Sequence, residues 1–266
     1  SNDGEYIYTV GYTFGIYSNS VFDFHGKAPK AATPNMWEDL IERECDDGFG
    51  FALKGQVNEF GYKSMTSPMT LQAFDTALKT YGTMPLGTLM RPAIDYCMDG
   101  FEVRPRVHAF WLQPAQAGRI ERVAVVKELD AARKIYLHDD GTLLNIGETL
   151  RNPDMGRLYQ RIADEGIGVF YNGDVADQIA ADMKANGGLL TKDDLADCAP
   201  TKIAPLKGSY RGFDVDTNQL PGGGLMILQM LNILEQFDLS AMGHNSARYI
   251  ATVSEAMKYS TIDKDS

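Results

Sequence analysis

The chain has 266 residues, 44% of them hydrophobic, enough to bury one large core, and it carries a net charge of −11. That acidity excludes a nucleic-acid partner, because phosphate neutralisation needs a basic face. Three widely spaced cysteines, Cys45, Cys97 and Cys198, support neither a disulfide framework nor a zinc site, and no apolar run reaches the length of a membrane span.

In chain order, the opening Ser1-Asn2-Asp3-Gly4 is neither a signal peptide nor a convincing domain start, which leaves cytoplasm and periplasm equally open. Glu5 to Tyr12 and Gly15 to Phe24 alternate aromatic or β-branched residues with small or polar ones. The period predicts a hairpin running into Asp23-Phe24-His25-Gly26-Lys27-Ala28-Pro29. Pro34 should open a short helix with Met36, Leu40 and Ile41 on one face, ended by the glycines of 46–55. Ser67-Pro68 reads as a cap and first turn for a helix whose core stripe is Leu71, Phe74, Leu78 and Tyr81, stopping at Gly82. Met84-Pro85 begins a second, carrying Leu86, Leu89, Met90, Ile94 and Cys97, with Pro92 as a kink or the true start.

Between Gly118 and Leu137 the chain is charged and amphipathic, with Val123, Val126, Leu129 and Ile135 as candidate buried positions before a turn at Asp139-Asp140-Gly141. Helices are expected over 154–165 and 174–186, separated by Phe170-Tyr171-Asn172-Gly173, with Gly187 as a left-handed stop. Thr191 and Asp194 have capping-box spacing. A hairpin over 204–217, turned at Tyr210-Arg211-Gly212, delivers a strand into Pro221-Gly222-Gly223-Gly224 and then an apolar, buried helix stepping through Leu225, Leu228, Leu231 and Glu235. His244-Asn245-Ser246 caps a last helix through Tyr249, Val253 and Met257. Strands at both ends and helices between them give an α/β (α+β) class in a single domain, 1–266.

The residues taken alone allow little chemistry. Gly222, Gly223 and Gly224 either supply positive φ and an anion cradle at a helix start or simply permit tight packing. They lack the lysine of a phosphate loop and the spacing of a dinucleotide fingerprint, so no nucleotide cofactor is indicated. No His-Glu-x-x-His or other metal cluster occurs, and no serine elbow. Asp263 and Asp265 around Lys264 read as a solvated helix end. His25, at a strand end between Phe24 and Gly26, is the histidine best placed to face a cleft while its aromatic neighbour packs.

The stretches Pro221-Gly-Gly-Gly with Leu228-Gln-Met-Leu-Asn-Ile-Leu-Glu-Gln-Phe-Asp-Leu, Gly243-His-Asn-Ser-Ala and Glu255-Ala-Met-Lys resemble the γ-glutamyltranspeptidase family of N-terminal-nucleophile hydrolases. So do the segments 23–33 and 67–102, Asn152-Pro153-Asp154, Asn186-Gly-Gly, Asp193-Asp194-Leu195 and Tyr210-Arg211-Gly212, all in the family's order. The resemblance implies the large-subunit part of a four-layer αββα sandwich, incomplete at both ends and completed by a small subunit. The partner's N-terminal threonine would supply the nucleophile and its own α-amino base, so no catalytic residue is expected in this chain. Thr261 does not stand at that position.

A small-molecule amide is the implied substrate, with no cofactor or metal, and a dimer of heterodimers is left open. His25, with Phe24, Gly26 and Lys27, would line the acyl pocket beside the glycine turn 222–224. Histidine stands where the γ-glutamyl enzymes have an arginine that pairs with the substrate carboxylate. It lacks the bidentate fork, which points to an acyl group other than γ-glutamyl. A true γ-glutamyltransferase using Lys27 instead, and a non-catalytic assembly subunit, are the competing readings.

Overall fold

The structure is a computed structural model describing residues 8–10, 14–17, 20–46, 50–115, 120–220 and 222–264. Two compact units divide the chain: one from Ser1–His25 with Ala199–Ser266, the other Gly26–Cys198. In the first, β1 (Tyr8–Val10), β2 (Phe14–Tyr17) and β3 (Ser20–Asp23) form an antiparallel meander. The expected hairpin is thus three strands. The run 15–24 folds back on itself, with Tyr17 facing Ser20, so its alternation belongs to two strands. Val21 and Phe22, side by side, are both buried, so this strand is covered on both faces.

The second unit begins where the chain leaves that sheet. The helix expected from Pro34 is instead a 3-10 turn, Glu38–Leu40, running into β4 (Ile41–Glu44), which pairs with β5 (Phe51–Leu53). Met36, Leu40 and Ile41 imitate helical spacing, but the cross-strand partner decides the conformation, and within the two strands only Leu53 is buried. Helix α1 (Thr70–Tyr81) starts later than Ser67. Ser67 is no cap: its N–H donates to the Lys27 carbonyl (2.9 Å), and the Pro68 carbonyl accepts from the Tyr171 hydroxyl (2.7 Å). The buried face of α1 is Ala73 and Ala77, while Phe74, expected in the core stripe, is exposed.

Helix α2 (Leu86–Met98) continues through Pro92, which lies exposed and has no N–H to donate to the preceding turn. After β6 (Phe101–Glu102) come three short helices, α3 (Pro105–Trp111), α4 (Arg122–Glu128) and α5 (Asp130–Tyr136), where Val123, Val126, Leu129 and Ile135 are half-buried. The turn at Asp140 is an Asx turn, with its carboxylate accepting from Thr142 N–H (2.9 Å). Strand β7 (Thr149–Leu150) pairs with β6, and α6 (Pro153–Glu165), capped by Asn152, packs along α2 with Ile94 and Ile162 buried.

The expected spacer between helices contains one more, α7 (Gly168–Tyr171), followed by α8 (Asp174–Ala185) and α9 (Lys192–Ala196). Tyr171 is wholly buried. Burial pushes its phenol above the ordinary range, and the hydroxyl also accepts from Gln72 N–H (3.2 Å). Both halves of the capping box at Thr191 and Asp194 form as read from the sequence.

The chain then returns to the first unit through β8 (Thr201–Ile203), a strand the sequence reading missed, which pairs with β3 so that Asp23 faces Thr201. All of residues 24–200 therefore form an excursion between two hydrogen-bonded strands. The hairpin of β9 (Leu206–Tyr210) and β10 (Phe213–Thr217) turns at Arg211 (φ 49°) and Gly212 (φ 82°), the two-residue geometry that matches strand twist. Helix α10 (Gly224–Leu234) packs on this hairpin and on α12 (Ala247–Lys264), after the short α11 (Leu239–Met242). Only Gly224 and Leu228 of α10 are buried, and Ile227 is exposed, so the helix is less enclosed than its apolar sequence implies. On α12 the buried positions are Ala256 and Ser260, whereas Met257 is exposed. Ser246 caps it, its hydroxyl accepting from Tyr249 N–H (3.1 Å). Asp263 accepts from Gln229 (2.8 Å), while Asp265 and Pro221 lie outside the described residues.

Candidate functional site

His25 follows the end of β3. Residues two apart on an extended chain share a face, and that period brings the His25 ring against Asp23. His25 Nδ1 is 2.8 Å from Asp23 Oδ1, and the same oxygen accepts from His25 N–H at 3.1 Å. The two side chains are 37% and 35% exposed. Phe24 between them is 4% exposed and packs in the core, the alternation expected of this strand end. Asp23 was not singled out as a site residue, although the two-residue spacing was the available signal.

The boundary between units falls after His25, so Gly26 and Lys27 are described with the second unit. The segment 26–30 is tied down at two points. Lys27 carbonyl accepts from Ser67 N–H, and Lys30 N–H donates to Asp194 Oδ1 at 2.8 Å. Gly26 lies flat against Thr66 and Ser67, where a Cβ would fall 3.1 Å from the Ser67 carbonyl oxygen and closer still to the Thr66 side chain.

Beside this segment opens a cleft of about 240 Å3, lined by Lys27, Lys30, Ser67, Asp194, Asp197 and Cys198 among others. Its charges are unevenly committed. Lys30 pairs with Asp197, and that hydrogen bond raises the lysine pKa. Burial pushes the Asp194 carboxyl up, but hydrogen bonds from Thr191 and from Lys30 N–H outweigh it and the net shift is downward. Burial also raises the pKa of the Cys198 thiol, partly countered by the charge of Lys27, and the thiol donates to the Asp194 carbonyl (3.4 Å).

The glycine turn is a different kind of place. None of Gly222, Gly223 and Gly224 has positive φ. A Cβ on Gly224 would run into the Asn218 carbonyl oxygen and come 2.7 Å from Thr217 Oγ1; one on Gly222 would strike the Asn218 side chain. Gly223, the cap of α10, has open space around it. Of the two sequence readings, close packing is the one these distances support at Gly222 and Gly224, and the positive-φ expectation fails. No group of three or more His, Cys, Asp or Glu side chains converges to hold a metal ion among the described residues, and none of their helices is long and apolar enough to cross a membrane.

The fold is a mixed α/β chain whose antiparallel sheet sends out a long, mainly helical excursion. It belongs to the gamma-glutamyltranspeptidase family, whose model matches residues 11–266. The chain is 34% identical over 254 residues to the glutathione hydrolase proenzyme of Escherichia coli (strain K12), a match covering 93% of this chain and 40% of that protein. It is 31% identical over 248 residues to the acylase ACY 1 proenzyme of Pseudomonas sp. (strain SE83), covering 92% of this chain and 42% of that one. The crystal structure of Helicobacter pylori gamma-glutamyltranspeptidase matches with a TM-score of 0.79 at 28% identity, over 98% of this chain and 69% of that chain. The chain thus spans about 40% of the length of these curated relatives.

Proposed function

We propose that residues 1–266 are the large-subunit portion of an autoprocessed amide hydrolase, one structural subunit of a four-layer αββα sandwich completed by a small subunit. In this reading the partner's N-terminal threonine hydroxyl attacks the substrate amide carbon and its α-amino group takes the proton. The amine leaves with a proton, and water or an acceptor amine resolves the acyl-enzyme. His25, with Phe24, Gly26 and Lys27, belongs to the acyl pocket, and the substrate is a small acyl amide other than a classical γ-glutamyl compound.

The observation carrying the substrate reading is the contact of His25 with Asp23 at 2.8 Å. A protonated imidazole beside that carboxylate makes a pair with no net charge, and a neutral imidazole leaves the pair negative. Neither attracts a carboxylate as a guanidinium does. A neutral acyl group meets no such penalty. In the mature protein, a butyryl anilide should therefore be turned over in preference to a γ-glutamyl anilide, and His25→Arg should raise kcat/KM for the γ-glutamyl substrate about tenfold, the worth of one charge-assisted hydrogen bond. Equal γ-glutamyl turnover by the wild type and His25→Arg would remove His25 from the pocket.

A second reading, glutathione hydrolase or γ-glutamyl transfer, is favoured by the name and 34% identity of the Escherichia coli relative. It requires the carboxylate to be bound elsewhere than at His25, and a γ-glutamyl preference in the unmodified protein would establish it.

A further inference from the structure

Two groups in the cleft beside residues 26–30 stand apart from its internal pairings. Ser67 is 4% exposed, yet no hydrogen bond reaches its hydroxyl among the described residues, and it lines the cleft. The residue is enclosed but its hydroxyl is not among the fully buried unpartnered polar atoms, so the oxygen opens onto the cleft, where it is free to donate to a ligand in place of water. Lys27 lines the same cleft and its ammonium makes no ion pair among the described residues, whereas Lys30 is committed to Asp197. Asp194 is already saturated in part by Thr191 Oγ1 (2.6 Å), Thr191 N–H (2.8 Å) and Lys30 N–H. What is left over is one cation and one hydroxyl donor, on two segments fixed to each other by the Ser67 N–H to Lys27 carbonyl bond.

From this juxtaposition we infer that the cleft is a binding site for a short-chain carboxylate, held by an ion pair to Lys27 Nζ and a hydrogen bond from Ser67 Oγ. A carboxylate supplies two acceptor oxygens and one negative charge, which match these donors. The carbon chain would be short, since about 240 Å3 lies below the ~300 Å3 at which pockets for drug-sized molecules begin. A phosphate suits the site less well: it carries a second charge for which no further uncommitted cation lines the cleft, and Asp194 and Asp197 would repel it. The site is built from residues 26–198 and shares Lys27 with the acyl pocket of the proposed function, but its primary readout is binding, so its failure is distinguishable from the failure of the amide-hydrolase reading.

The test uses propionate and its neutral isostere propionamide on the mature protein, followed by calorimetry or ligand-observed NMR. Propionate should bind saturably in the low-millimolar range, with Kd about 1–10 mM, as one ion pair and one hydrogen bond allow. Propionamide should bind at least tenfold more weakly. Lys27→Met and Ser67→Ala should each weaken propionate about tenfold without moving the thermal midpoint, since the first side chain is exposed and the second makes no hydrogen bond among the described residues. Equal affinity for acid and amide, propionate binding unchanged in both variants, or no saturable binding would overturn the proposal. The source of the carboxylate separates in the same samples. Propionate that raises KM for an amide substrate marks the acid end of a substrate, and propionate that binds without changing KM marks a free organic acid.

Discussion

The glycine turn before α10 and the segment 26–30 are both held firmly, for opposite physical reasons. In the turn, surrounding atoms leave no space: the Asn218 carbonyl and Thr217 hydroxyl occupy the volume a side chain on Gly224 would need. In the segment, two hydrogen bonds across long stretches of sequence pin the backbone while Lys27 remains exposed. Backbone fixed by close packing has few side-chain groups to present, whereas backbone fixed by tethers keeps its side chains for a ligand. The conspicuous run Pro-Gly-Gly-Gly is thus architectural at Gly222 and Gly224, and the plainer His-Gly-Lys-Ala-Pro is where the proposed acyl pocket and carboxylate site draw their side chains.

The largest effect that would break this contrast is at Asp194. Asp194→Ala removes the acceptor for Lys30 N–H together with the carboxylate half of the α9 capping box, leaving only the residue-194 N–H donating to Thr191 Oγ1, and should lower stability by about 2–4 kcal/mol in urea denaturation of the mature protein. A negligible loss would show that residues 26–30 are held by something else. The same carboxylate sets a pH dependence. Its folded pKa is depressed below the unfolded value, so its contribution is complete above about pH 3.9 and is lost as pH falls through the folded pKa. Asp194→Asn should flatten that part of the acid limb, and an unchanged limb below pH ~4 would contradict it.

Gly224→Ala tests the other side of the comparison. Because the obstruction is a backbone carbonyl, the turn must move to admit the Cβ, with an expected loss of about 1–3 kcal/mol by thermal or chemical melting. A stabilising alanine would mean the turn is loose after all. Tyr171→Phe should follow at about 1–2 kcal/mol, since it strands the Pro68 carbonyl and the Gln72 N–H at the start of α1, one wall of the cleft region. Ser67→Ala should be smallest, within about 0.5 kcal/mol of wild type, because its hydroxyl makes no hydrogen bond within the described residues. A large loss there would reveal a structural role for the group.

Much of the fold was legible where the signal closes within a few residues. The reciprocal bonds of Thr191 and Asp194, the Asn152 cap ahead of α6, and the Arg211-Gly212 turn each complete themselves locally, so their residue types announce them. The His25–Asp23 contact belongs to the same class, two residues apart at a strand end, and could have been read. Ser67 could not. A serine followed by proline looks the same whether it caps a helix or donates its N–H to a carbonyl forty residues earlier, and only the second is found. Likewise Met36, Leu40 and Ile41 carry a helical period that β5 overrules.

The sequence by itself determined the family, the order of most helices, and which strand end carries the polar residues, because these rest on short motifs and on periodicity. Tertiary structure alone decided that β3 pairs with β8 across the excursion of residues 24–200, and that Asp194, 164 positions from Lys30, fixes one wall of a cleft. It also decided that the Ser67 hydroxyl is left without a partner among the described residues. The reason is physical: a hydrogen bond between distant residues leaves no periodic trace in either local segment, so its donor and acceptor become visible only when the fold brings them together.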